Sequence, residues 1–508
     1  MNLRVSLLAL TIASCACVSC VGDPTCEEDI NCGAYPGDSG TGGASGTGGS
    51  GGTSGTGGQG GQAGVGGTAG SDGGSCDTTK SPTEESCLVD DQYAVFVDGT
   101  ASTSGDGSKA TPFKTIAEGV AAAGSKLVLV CNTNYPEHLS ITSGVKLYGG
   151  FKCSYWSADA GQRAVVAPTT SGYALEVDSV SGTVAIDGLE LDAMDGAADG
   201  ESSIAAFVHG SSDVRLDGVK LVAGKGKAGK AGVVVPFTFP TQAELDGHNA
   251  TGIPGGTVNP CDCPSGAQTI GGAGGSAPSQ SGGNGSPDLG GGQGGTAGSP
   301  TDCGNGGTGK TGANATPPSP AAGASSSGTL TSSSGWSPTS GSNGTAGGPG
   351  QGGGGGASTT AGGGGGGGCG GCGGAGGPGG GGGGASIALL VVDSTVSVGA
   401  TSELISSAAG AGGKGAAGQG AQPEFGTHGN GSGPACDGGN GGKGAAGASG
   451  GGGAGGISVP VVWKGTTAPV IASGATLTPG TKGSKGVGGS AGTNDGVDGI
   501  AQATLEIT

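Results

Sequence analysis

Seven consecutive glycines, Gly362 to Gly368, lie well inside this chain. They are the densest point of a general excess: 130 of 508 residues are glycine, more than three times the usual share of roughly 7%. Glycine loses more backbone freedom on folding than any other residue and has no side chain to bury. With aromatics at only 3%, one large apolar globule is excluded. Full disorder is excluded as well. Disordered chains are typically charged and poor in β-branched residues, whereas this one is 11% charged and carries runs of Val, Ile and Leu. Collagen is ruled out because glycine does not recur strictly at every third position and proline is 25 of 508.

The glycine is unevenly spread. Residues 36–75 are Gly, Ser, Thr, Ala and Gln with almost no bulk, the composition of a flexible tether with a reach of roughly 35 Å. Residues 250–384 form a second block, and strand-like sequence resumes at Ser386, so the block reads as a long insertion. Residues 409–455 read as another. No strict triplet period runs through the long block. The expectation is therefore hydrated, irregular loops, with packed extended helices of the polyproline II type as the ordered alternative.

Between these blocks the composition changes. Of 16 aromatics, 8 lie between Tyr93 and Trp156, so a folded core starts near residue 85. Residues 93–97 read as a strand. Residues 111–123 read as a short helix, with Thr111 as N-cap, Pro112 at the first helical position and Gly124 ending it. Short strands follow at 126–130, 145–151, 164–167, 173–177, 184–191, 204–208 and 214–222, separated by Gly, Ser, Asp or Thr turns. Two segments repeat: Thr183-Val-Ala-Ile-Asp-Gly-Leu-Glu-Leu-Asp192 matches Asp213-Val-Arg-Leu-Asp-Gly-Val-Lys-Leu-Val222. A wider repeat starts at Ser203, Ser386 and Ile457, each time a strand pair followed by a glycine-rich excursion. Such spacing predicts an all-β fold, a parallel β-helix solenoid in which each coil turns small aliphatics inward. Cys131 and Cys153, each after a strand and about one coil apart, are a candidate disulfide.

The stretch from Val97-Asp-Gly through Gly107-Ser-Lys-Ala-Thr-Pro-Phe-Lys-Thr-Ile-Ala-Glu-Gly-Val to Tyr135-Pro-Glu-His-Leu-Ser-Ile-Thr-Ser-Gly-Val-Lys-Leu-Tyr-Gly-Gly150 resembles the opening of bacterial right-handed β-helix proteins of the pectin-lyase-like group. The resemblance covers about 60 residues well and implies a right-handed solenoid with a short N-terminal capping helix. It implies little about activity, since the fold hosts lyases, hydrolases, adhesins and inert scaffolds. The glycine-rich stretches also resemble the Gly-Ala repeat regions of mycobacterial surface proteins in composition.

The first residues, Met1-Asn-Leu-Arg4 and then an apolar run to Ile12, read as a secretory signal too short to span a bilayer. Ile12-Ala13-Ser14-Cys15 resembles the lipobox of bacterial lipoproteins, which implies cleavage after residue 14 and lipidation of Cys15. Cys20 is the alternative, with cleavage after residue 19. No Asp follows either cysteine, which by the same resemblance points to the outer membrane or cell surface. The expected plan is a signal (1–14), a tether (15–84), a parallel β-helix (85–249), a glycine-rich insertion (250–385) and further coils (386–508). An exported chain with 15 cysteines is expected to hold disulfides.

Charge narrows the partners. Lys plus Arg is 19 and Asp plus Glu is 38, a net charge of −19, so nucleic acid is not an expected partner. Outer-membrane lipid, reached through the lipidated cysteine, and a polysaccharide or other surface ligand are. By resemblance, pectate-lyase-type chemistry uses clustered carboxylates for calcium. Asp192, Asp195 and Asp199 are the candidates here for calcium or carbohydrate. Asp187 and Asp217 sit at Asp-Gly bends, where turn chemistry alone favours Asp. Four scattered histidines do not define a triad, and Cys261-Asp-Cys263 with Cys369-Gly-Gly-Cys372 read as disulfide staples. No catalytic or metal-ligating residue is assigned, and calcium is the one cofactor considered. The expected role is structural, adhesive or matrix-directed at the cell surface. The alternative is a polysaccharide-binding or polysaccharide-degrading protein.

Overall fold

The computed structural model describes residues 76–159, 161–297 and 303–508. The signal, Cys15, Cys20 and the tether up to residue 75 lie outside the described residues, whereas residues 76–84, expected to belong to the tether, form turns tied to the folded unit by Cys76–Cys87. The described residues form one compact unit.

Most of the strands belong to three parallel sheets. The first sheet holds Ala94–Val97, Leu127–Cys131, Val145–Phe151, Thr183–Asp187, Asp213–Asp217, Val396–Val398 and Val470–Ile471. The second runs from Asn134–Tyr135 through Ala164–Val166, Leu189–Asp192, Lys220–Val222 and Glu403–Ile405 to Thr476–Thr478. The third runs from Leu139–Ile141 through Leu175–Asp178, Ser203–His209, Ser386–Val392 and Ser458–Lys464 to Thr504–Glu506. From Asn134 on, the chain visits second, third and first sheet in fixed rotation. The fold is predominantly β and parallel, as the strand spacing predicts.

The repeats are the registers. Thr183 pairs with Asp213 and Asp187 with Asp217, the same alignment the two sequence segments give. Ser203, Ser386 and Ser458 are also in register, so the third copy of the wider repeat starts one residue later than Ile457. The segments 184–191 and 214–222, each read as one strand, are broken in two by Gly188 (φ 68°) and Gly218 (φ 59°). That left-handed bend, which glycine adopts at no steric cost, carries the chain from the first sheet to the second. Alternation inside each strand then places Leu147, Ile186, Leu216, Leu191, Leu221, Val177 and Val208 in one apolar core.

The helix is shorter than the sequence reading gives: Ile116–Ala123, capped by Thr115 rather than Thr111. Residues before it are held extended, because Phe113 N donates to Phe96 O and Asp98 N donates to Phe113 O. Thr115 and Glu118 form a capping box, and the Glu137 carboxylate accepts from Ile116 N and Ala117 N at 2.7 and 3.0 Å. A second apolar cluster lies on the outer face of the third sheet. There Phe207, Leu390 and Val462 pack with Leu330 and Trp336 from an antiparallel hairpin, Gly328–Thr331 with Gly335–Pro338.

The described residues of the 250–384 and 409–455 blocks depart from the expectation of irregular loops. They are ordered, closely packed extended chains. Along the seven-glycine run, successive amides rotate through three neighbours. Gly363, Gly366 and Cys369 donate to Gly252, His248 and Leu245. Gly364 and Gly367 donate to Gly275 and Gly272, and Gly365 and Gly368 to Cys436 and Gly439. A contact that returns every third residue is the repeat of polyproline II. The period is structural although the sequence hides it. Edge chains need glycine only where they face inward, as in Gly226-Lys-Ala-Gly229-Lys-Ala-Gly232, whose glycines donate to Ala408, Ala411 and Lys414. The run 362–368 is buried throughout, and at six of its seven positions a Cβ would overlap a neighbouring backbone, Gly366 alone leaving 3.1 Å.

Among the described residues, five disulfides join Cys76–Cys87, Cys131–Cys153, Cys261–Cys369, Cys263–Cys372 and Cys303–Cys436. The last three tie the glycine-rich chains together. Such a set belongs to an extracellular or otherwise oxidising environment. No helix among the described residues is long and apolar enough to cross a membrane.

Candidate ligand groove

The turns between first and second sheet stack on one another and shape an outward groove of about 500 Å³. In the outward row of the first sheet, Tyr148 is in register with Asp187 and Asp187 with Asp217. Neighbouring strands in a sheet lie about 4.8 Å apart, so the two carboxyl-bearing residues are one strand spacing apart. Tyr148, Asp187, Asp159, Gln162, Arg163 and Thr401 are among the groove's lining residues.

Arg163 crosses the stacked turns. Its Nε donates to Gly218 O at 2.8 Å, one terminal nitrogen donates to Thr401 O at 3.4 Å, and the other pairs with Glu403 at 3.0 Å. Protein groups therefore hold the guanidinium at three points, and its first role is to clamp successive turns. Burial raises the Asp187 pKa, and the Asp217 charge raises it further, against a lowering bond from Gly188 N–H. Burial also raises the Tyr148 phenol, with Asp187 and Asp217 adding to it.

The raised Asp187 value has a testable sign. Its folded pKa lies above its unfolded value, so protonation favours the folded state. The associated stability is fully present below the ordinary carboxylate range and is lost as pH rises through the raised value. Asp187→Asn keeps an acceptor for Gly188 N–H and removes the charge. It should raise the melting temperature at pH 7 by about 1–2 °C and leave it unchanged near pH 3, as differential scanning calorimetry would show.

The three aspartates expected to bind calcium or carbohydrate do not converge on a site. Asp192 ends its strand with Oδ1 buried and without a hydrogen-bond partner. Its pKa is raised by burial and then by Glu190, which is itself bonded to Lys220 at 2.6 Å. Asp195 Oδ1 accepts from Lys225 N at 2.6 Å and so links adjacent chains. Asp199 is exposed. Among the described residues, the one set of three His, Cys, Asp or Glu donors close enough to share an ion is Asp98, Cys131 and Cys153. Both of its sulfurs are engaged in the 131–153 disulfide. Each histidine has local partners: His138 bonds Tyr173 O and Thr170, His209 lies between Glu176 and Asp178, His248 bonds Thr257, and His428 bonds Asn440. Two of these contacts set a threonine hydroxyl against an imidazole, Thr170 on His138 and Thr257 on His248, both at exposed positions and without a carboxylate on the ring's other nitrogen.

The Asp187–Asp217 pair was the site that turn chemistry concealed. The 30-residue offset between the repeated segments already held the signal. Tyr148 shares it through the same apolar-x-apolar-x-Gly pattern in Val145-Lys-Leu-Tyr-Gly149. No protein-family model matches this chain, and no curated protein or solved structure matches it either.

Proposed function

We propose that this chain is an exported, lipid-anchored protein displayed at the outer membrane or cell surface, where its role is structural, adhesive or matrix-directed. Its three rotating sheets are read as a right-handed parallel β-helix solenoid, with the helix Ile116–Ala123 at its N-terminal end. The observation that carries this reading is the glycine-rich bundle. Its amides are bonded chain to chain and its ends are tied by disulfides, which suits a durable extracellular scaffold. A signal-like N-terminus with Cys15 in a lipobox-like setting supports the anchor, and the disulfides support the compartment.

Palmitate labelling in a Gram-negative host tests the anchor, comparing wild type with Cys15→Ala and Cys20→Ala. The expected result is label on wild type, loss of label with Cys15→Ala alone, and cleavage by protease added to intact cells. Unlabelled protein released into the medium would overturn the lipid anchor.

A second reading, carbohydrate binding, is favoured by the Tyr148–Asp187–Asp217 row beside an open groove. Neutral oligosaccharides are the ligand class the groove suits.

A further inference from the structure

The second sheet continues into the glycine-rich bundle, strand for strand. Beyond Lys220–Val222 the chain runs on as residues 223–232, and beyond Glu403–Ile405 as residues 406–416. Their pairing continues through Gly226 N to Ala408 O, Gly229 N to Ala411 O and Gly232 N to Lys414 O. On this layer Lys225, Lys227, Lys230 and Lys414 are exposed. None of the four lies within ion-pair distance of a carboxylate among the described residues, unlike Lys482 and Lys485 on the next chain, which pair with Asp498 and Asp495. Lys227 and Lys230 are three residues apart on a threefold helix, so they project on one side about 9 Å apart. Lys414 stands on the neighbouring chain beside Gly232. Lys230 also lines a groove of about 740 Å³ with Val233, Ser340, Asn343 and Pro378.

In a chain of net charge −19, four exposed lysines without ion pairs on one rigid layer form a local exception. We propose that this face docks an anionic polysaccharide, with the lysines meeting its carboxylates and the polar groove wall meeting its hydroxyls. This names a partner class for the adhesive role proposed above and rests on that reading. Nucleic acid fits less well. Its phosphates recur about every 1.7 Å along the duplex, and Asp195 and Asp199 on the adjoining chain oppose a field that dense. No aromatic side chain lines the groove beside Lys230.

The test is affinity electrophoresis of the full chain in gels containing sodium polygalacturonate, with neutral dextran and duplex DNA as comparison gels. Wild type should be retarded by polygalacturonate at about 50 mM salt and released towards about 200 mM, as charge-driven binding requires. The Lys227→Gln/Lys230→Gln/Lys414→Gln chain should lose roughly tenfold or more in affinity. Lys310→Gln/Lys443→Gln, which removes two exposed lysines elsewhere in the bundle, should bind as wild type. An unretarded wild type, equal retardation of the triple variant, or equal retardation by DNA would each overturn the proposal. The palmitate experiment reads surface display independently, so failure of either reading is visible alone.

Discussion

Gly367→Ala is expected to destabilise the glycine-rich bundle by about 3 kcal/mol or more, the upper range for overpacking. A Cβ at Gly367 would overlap the carbonyl oxygen of Gly353, while the residue's own amide is bonded to Gly272 O at 2.8 Å. The obstruction is backbone, itself fixed by its own bonds, so no side chain can swing aside. Gly420→Ala is the matched control. A Cβ there meets nothing within 4 Å, and reducing the freedom of the unfolded chain should leave stability unchanged or raised by about 0.4–1 kcal/mol. Hydrogen exchange on both variants provides the readout. Gly367→Ala should abolish protection across residues 346–373 and leave residues 127–151 protected. Equal protection in the two variants would contradict the close-packed account.

Reduction of the disulfides should open the bundle while the three sheets persist. The sheets carry the large apolar clusters, one between them and one on the outer face of the third, whereas the bundle's own cluster is Leu245 with Cys261 and Cys369. With little apolar burial available, cross-links take a larger share. Cys261–Cys369, Cys263–Cys372 and Cys303–Cys436 span 108, 109 and 133 residues. Chain entropy assigns a loop of that length about 4–5 kcal/mol, and native bridges typically contribute about 2–5 kcal/mol. The Cys303→Ser/Cys436→Ser chain should therefore melt in two steps, the bundle first, in calorimetry of an otherwise oxidised protein. A single unchanged transition would show that the amide network suffices alone.

The sheets were legible because alternation repeats from turn to turn. Val184, Ile186, Leu189 and Leu191 reappear as Val214, Leu216, Val219 and Leu221, and register follows from alignment. The helix start was misplaced because Thr111-Pro112 has the chemistry of a cap, yet Phe113 pairs with the first strand. That pairing depends on a distant partner and leaves no local mark. The glycine bundle was misread for a different reason. Its threefold period shows only where a chain has an exposed side to carry other residues. Asp187 and Asp217 were hidden by a residue type that suits both a bend and a binding groove.

The threefold bundle also fixes what changes of length the chain can absorb. Adding or removing three residues within a buried run returns every later amide to the neighbour it had before. Adding or removing one or two turns the rest of the run by a third or two thirds of a revolution. Lysines and alanines that face solvent in Gly226-Lys-Ala-Gly229 would then point at a neighbouring backbone, and inward glycines would face water. Insertions and deletions in these segments are thus counted in a structural triplet, a reading frame kept by packing rather than by any codon.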